Sequence, residues 1–199
     1  MSEPRRSEKT RKTRETEVTV ALALEGSGEV QVRTGLPFFD HMLEQLGRHG
    51  GFDLVVNATG DLHVDAHHSV EDVGIVLGDC LLEALKDKAG VRRFASALVP
   101  LDEALVEVAV DISGRPFLAY EVQFPQDVAP LGSPPFDPQL AEEFFRAFVS
   151  SSKITMHVDL RSGRNTHHVL EATFKAVARA LRDALEVVGG GVPSTKGSL

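Results

Sequence analysis

One short pattern occurs twice in this chain, with its first histidines one hundred residues apart. Asp65-Ala-His67-His68-Ser-Val-Glu71 and Asn165-Thr-His167-His168-Val-Leu-Glu171 both spell His-His-x-x-Glu. The hydrophobic period around them, alternating between two and 3.6, also runs through one order twice. It predicts strands over 16–24, 28–34, 52–58, 95–112, 116–124 and 153–160, and helices over 37–48, 69–88, 138–151 and 166–187. Strand, strand, helix, strand, helix is thus repeated after about residue 95, which is an internal duplication. Residues 11–94 form the first half-repeat and 95–188 the second, in one catalytic unit. Each half makes a small sheet with helices on one face, and the helices of the two halves bury their apolar stripes against one another. The expected fold class is α+β, with internally duplicated half-domains and a helical layer packed between two sheets.

Composition narrows the function. A length of 199 residues allows one or two compact units, and no run approaches the roughly 18 apolar residues of a membrane span. A net charge of -8 argues against a nucleic-acid partner. The single cysteine, Cys80, excludes an intrachain disulfide framework and a thiolate zinc cluster, and fits a reducing compartment. Six Lys or Arg among the first fourteen residues would suit the start of a signal peptide, but no small-residue cleavage site follows. Residues 1–10 are read as a mobile basic arm, and the expected location is cytoplasmic. The Pro-rich stretch from Phe124 to Phe136 interrupts only the second half and is read as a surface loop. Residues 189–199 form a C-terminal tail.

The repeated motif has metal-ligand chemistry. At the start of a helix His67 and Glu71, four apart, share one face, while His68 projects about 100° around the axis. If a pseudo-twofold axis relates the halves, one metal takes His67, Glu71 and His168, and the other His167, Glu171 and His68. The first helix of each half offers a further ligand at matching places, His41 and Glu143. Imidazole and carboxylate without thiolate suit manganese, iron, cobalt, nickel or zinc, and manganese is favoured. His63 and His157 are read as ordinary strand histidines. Glu44, Glu142, Asp61 and Asp65 are read as solvated or as lying behind the ligands. His41, Gln45 and His49 stand at i, i+4 and i+8 and line one helix face. Arg93, Arg115, Lys175 and the segment Ser194-Thr195-Lys196 could bind an anion without a P-loop.

These residues carry a resemblance. Gly35-Leu-Pro-Phe-Phe-Asp-His-Met-Leu, Gly60-Asp-Leu-His-Val-Asp-Ala-His-His-Ser-Val-Glu-Asp72, Arg93-Phe, Ser113-Gly-Arg-Pro116, His167-His-x-x-Glu-Ala-Thr-Phe-Lys175 and Pro193-Ser-Thr-Lys-Gly197 resemble the imidazoleglycerol-phosphate dehydratase family, over about residues 11–197. The resemblance implies a hydro-lyase of histidine biosynthesis that converts imidazole glycerol phosphate to imidazole acetol phosphate and water. It also implies two Mn2+ per chain, a fold like domain 2 of ribosomal protein S5, and a homo-oligomer of twenty-four subunits with active sites between them. By position, His41, His68, His167 and Glu171 would hold one metal, and His67, Glu71 and His168 most of the other. Glu143 departs from the family, which has a histidine before Phe-Phe. Glu15, Gln45, His49, Arg93, Arg115, Lys175, Ser194 and Lys196 match contacts to substrate and phosphate.

The hydrogen to be lost sits on an unactivated carbon. An imidazole ring held through its nitrogens between two metals can lose its N–H and push electrons toward the carbon bearing the hydroxyl. Glu15 is the first candidate to move the carbon proton; Glu171 and Glu71 follow, since coordination uses up their basicity. The rivals are a binuclear metallohydrolase acting on a phosphorylated substrate and a metal-storage shell, and the latter has no use for the anion-binding residues.

Overall fold

The computed structural model describes residues 4–124 and 128–197. Residues 1–3 of the basic arm, 125–127 of the Pro-rich stretch and 198–199 of the tail lie outside them. The elements run β1 (Arg6–Lys12), β2 (Thr16–Ala23), β3 (Val30–Arg33), α1 (Pro37–Gly50), β4 (Asp53–Gly60) and α2 (His67–Ala84) in the first half. The second half repeats the series as β5 (Phe94–Leu101), β6 (Ala104–Asp111), β7 (Phe117–Glu121), α3 (Leu140–Ser152), β8 (Thr155–Ser162) and α4 (Thr166–Leu185). Two four-stranded sheets result, ordered β1-β2-β4-β3 and β5-β6-β8-β7. In each, only the last pair, β4–β3 or β8–β7, is parallel, because a helix carries the chain across, α1 from β3 to β4 and α3 from β7 to β8. The fold is α+β, with the helices between the sheets.

Alternation explains the strands. β2 and β6 bury every second residue, Val18, Val20 and Leu22 in one and Val106, Val108 and Val110 in the other. Those faces receive α2 and α4, whose apolar residues recur at helical spacing: Val70, Val73, Leu77 and Leu81, then Leu170, Phe174, Val177 and Leu181. Pro37 opens α1 and Gly51, at φ 69°, closes it, which fixes the helix that carries His41.

Two expectations need correction. The basic arm is strand from Arg6 onward, paired antiparallel to β2 over the whole of β1. It has no apolar alternation to read, because this edge strand is polar and nearly all exposed, with Lys9 and Arg11 paired to Glu83 and Asp72; charged edges also discourage pairing with another sheet. The strand expected over 95–112 is two, turned at Asp102 and Glu103. Asp102 takes the left-handed conformation, φ 49°, in a two-residue turn that no glycine announces.

Helices α2 and α3 meet backbone to backbone. A Cβ added at Gly74 would lie 2.6 Å from the carbonyl oxygen of Phe144, and one at Gly78 2.6 Å from that of Phe148. Alanine has the higher helix propensity, by about 1 kcal/mol, yet here it would force two backbones apart. Gly74→Ala is therefore expected to cost about 1–3 kcal/mol, read as a lower melting temperature; an unchanged or raised one would contradict this close packing.

Candidate metal centre

Helix pairing decides which histidines meet. α1 packs on α4 and α2 on α3, so each helix bearing a His-His-x-x-Glu lies against the other half's first helix. On the α1–α4 pair, His41, His167 and Glu171 each offer a ligand atom within 4.8 Å of the others. The Nε2 atoms of His167 and His41 both address Glu171 Oε2, at 3.0 and 3.4 Å. The ring of Phe38 packs against the His167 ring at 5.3 Å, edge to face, so the apolar core orients the imidazole. Glu171 Oε1 receives Lys175 Nζ at 2.6 Å, one helical turn on. Burial opposes ionisation of Glu171, but the hydrogen bonds from Lys175 and His167, the Lys175 charge and His41 outweigh it and pull its pKa down to about 2. The group is thus a carboxylate at neutral pH, as a metal ligand must be.

The stripe on α1 continues from this trio. Gln45 Nε2 donates to His41 Nδ1 at 3.4 Å, and His49 Nε2 donates to Gln45 Oε1 at 3.2 Å. Burial, then the positive charges of Lys175 and Arg179, lower the His49 pKa, so its imidazole is held neutral.

The pseudo-twofold pairing within one chain is not formed. His68, expected beside His167 and Glu171, lies instead with Glu15 and Asp61, the second group whose ligand atoms fall within 4.8 Å. Its Nδ1 donates to Asp61 Oδ2 at 3.0 Å and is 3.8 Å from Glu15 Oε2. That bond raises the His68 pKa and lowers the Asp61 pKa. His168, expected beside His67 and Glu71, donates from Nδ1 to Glu103 Oε2 at 2.8 Å. The reason is the helix arrangement: α2 and α4 each pack on a first helix of the opposite half, and their His-His-x-x-Glu ends do not share a face.

His67, Glu71 and Glu143 lie on the α2–α3 pair, the counterpart of the pair carrying His167, Glu171 and His41. Among the described residues they are not drawn into one group; Glu143 Oε2 is 3.9 Å from Arg146 Nε on its own helix. Beside His67 a cavity of about 310 Å³ opens, walled by Leu62, Val64, Pro134 and Pro135. The basic residues gather elsewhere. Arg93 is bound by Asp111, with Nε at 2.7 Å from Oδ1, and its Nη1 donates to the Pro193 carbonyl at 2.7 Å, which secures the tail. Arg115 Nη2 is 3.9 Å from Asp111, and Ser194 Oγ accepts the Lys196 amide at 3.2 Å, while Thr195 and Lys196 are exposed. Missing from the sequence reading was Glu103, which also accepts the backbone amides of Asn165 and Arg164, at 2.7 and 3.2 Å, and has a pKa near 2, lowered first by His168. The signal was available: the duplication sets the β5–β6 turn opposite the β1–β2 turn that carries Glu15.

The chain is similar to known proteins over most of its length. A model of the family described as imidazoleglycerol-phosphate dehydratase matches residues 34–181. Relatives of that name include a protein of Gluconacetobacter diazotrophicus, 55% identical over 95% of both chains, and one of Gluconobacter oxydans, 53% identical over the full length of both. The imidazoleglycerol-phosphate dehydratase of Staphylococcus aureus superposes with a TM-score of 0.81 at 40% identity, covering 92% of this chain and 99% of its own. That of Pyrococcus furiosus gives 0.80 at 36% identity, covering 96% and 100%. A match of this extent at this identity reaches well beyond a shared fold, and the chain belongs to the imidazoleglycerol-phosphate dehydratase family of hydro-lyases.

Proposed function

We propose that this chain removes water from imidazole glycerol phosphate to give imidazole acetol phosphate in histidine biosynthesis, in the cytoplasm, with two Mn2+ per chain. The observation that carries the metal dependence is the convergence of His41, His167 and Glu171 from both halves. Two imidazoles and an ionised carboxylate without thiolate fit a divalent transition metal and suit manganese. His41, His167 and Glu171, with a His68, would hold one ion, and His67, Glu71 and Glu143, with a His168, the other. Bound there, the metals would act as electrophiles that stabilise charge on the imidazole ring of the substrate.

His68 and His168 are each turned away from the trio expected to receive them, which supports sites completed by neighbouring subunits. A shell of twenty-four chains with active sites between subunits is the assembly we propose. Within each chain, Gln45 and His49 extend the His41 face and would orient the substrate. Lys175 holds Glu171 in its ionised form. Arg93 pins the tail at Pro193, so that Ser194, Thr195 and Lys196, with Arg115, would meet the phosphate. Glu15, on an exposed turn, would carry the proton taken from carbon.

Product analysis tests the reaction. Incubation with imidazole glycerol phosphate and Mn2+ should yield an absorbing ketone with its phosphate retained; release of inorganic phosphate would favour a metallohydrolase instead.

Glu143 tests the assignment of ligands. Glu143→Gln should weaken metal binding at the second site by about tenfold or more, because a neutral amide is a poorer ligand than a carboxylate. Glu143→His should keep the enzyme working with a changed metal preference. Full turnover with two bound metals in Glu143→Gln would leave Glu143 a solvated carboxylate paired with Arg146.

A further inference from the structure

The second histidine of each motif is held from behind, and the two halves do it differently. His68 Nδ1 donates to Asp61 Oδ2 at 3.0 Å, from a residue that follows β4. His168 Nδ1 donates to Glu103 Oε2 at 2.8 Å, from the β5–β6 turn. One ring atom is engaged twice, by carboxylates at places the duplication does not relate. The place related to Glu103 is the β1–β2 turn, and there Glu15 stands 3.8 Å from His68 Nδ1, outside hydrogen-bond reach.

A neutral imidazole carries one proton. If a carboxylate holds that proton on Nδ1, the lone pair for a metal is on Nε2, and the ring is also fixed in direction. Glu103 is itself anchored by the backbone amides of Arg164 and Asn165, so it ties the β5–β6 turn to the start of α4, where His168 sits. Asp61 has no such amide bonds among the described residues and is held by burial, with its side chain only 15% exposed and its other oxygen, Oδ1, buried. Both carboxylates are thus engaged with their histidines, whereas Glu15, with a side chain 58% exposed, is open to solvent.

We infer that Asp61 and Glu103 are positioning residues that lock His68 and His168 with the proton on Nδ1 and Nε2 presented as ligand, and that this leaves Glu15 as the turn carboxylate free to move protons. The inference rests on the metal-dependent reading above. The duplication has diverged at this point: the first half holds its histidine with Asp61 and releases the turn glutamate, whereas the second half spends the turn glutamate on its histidine.

The test is Mn2+ affinity of the chelator-stripped protein, measured by titration calorimetry beside a thermal melt. Asp61→Ala and Glu103→Ala should each weaken Mn2+ binding about 10–100-fold. Glu103→Gln keeps an oxygen that accepts from Nδ1–H, so it should keep the fold and fall between alanine and the parent; it decides the matter if Glu103→Ala loses the start of α4. Glu15→Gln should bind Mn2+ within about threefold of the parent, since no ligand is positioned by it. Parental affinity in folded Asp61→Ala and Glu103→Ala, or an equal loss in Glu15→Gln, would overturn the inference alone. A parent chain that binds no Mn2+ would overturn the metal-dependent reading and the inference with it.

Discussion

Replacing His167 with alanine is expected to lower turnover at least about a thousandfold and to reduce bound metal, because an electrophilic metal supplies several kcal/mol of stabilisation where charge develops. His167 is the nearer of the two imidazoles that address Glu171 Oε2. Its Nε2 meets Glu171 at 3.0 Å, its ring packs on Phe38, and the His41 ring lies 5.8 Å away. Removing it would leave only His41 and Glu171 of the proposed trio and open the contact with Phe38. His67→Ala should act in parallel on the second site. If neighbouring subunits complete the sites, both substitutions should also loosen the assembly, which sedimentation would read. Unchanged metal content in both variants would mean that other residues are the ligands.

The second large effect is expected at Glu15, and it should separate chemistry from binding. Glu15→Gln keeps the size of the side chain and removes its basicity, so turnover should fall about 10²–10⁴-fold, the usual contribution of a general base or acid. Its turn is fixed independently of the carboxylate: Thr13 Oγ1 accepts the amides of Glu15 and Thr16, at 3.1 and 2.9 Å, and Thr16 Oγ1 donates to buried Asp72. The backbone should therefore hold its course in the variant, with the Michaelis constant shifted much less than kcat. A change confined to the Michaelis constant would make Glu15 a binding group and move the proton transfer elsewhere.

The duplication was legible because hydrophobic periodicity and the His-His-x-x-Glu spacing repeat together, and burial follows directly from both. Val18, Val20 and Leu22 face the helices for the same reason as Val106, Val108 and Val110. The misreadings share one physical cause: in each, pairing partners decided what local pattern could not. Arg6–Lys12 is too charged to look like a strand until β2 supplies its hydrogen bonds. Residues 95–112 alternate without a break through a turn that Asp102 makes without glycine. That same turn hid Glu103, whose place could be read only by matching the turn to the one that carries Glu15, and whose partner His168 shows only in the folded hairpin. Helix faces gave which residues lie together on one helix, but not which helices meet. The trio His41, His167 and Glu171 depends on α1 packing on α4, and His68, on α2, lies outside that pair.

The most direct test titrates Mn2+ into the chelator-stripped protein while following formation of the ketone from imidazole glycerol phosphate. Metal-free protein should show no turnover, and activity should rise with added Mn2+ to a plateau at two equivalents per chain. Full turnover in protein shown to hold no metal would contradict the account.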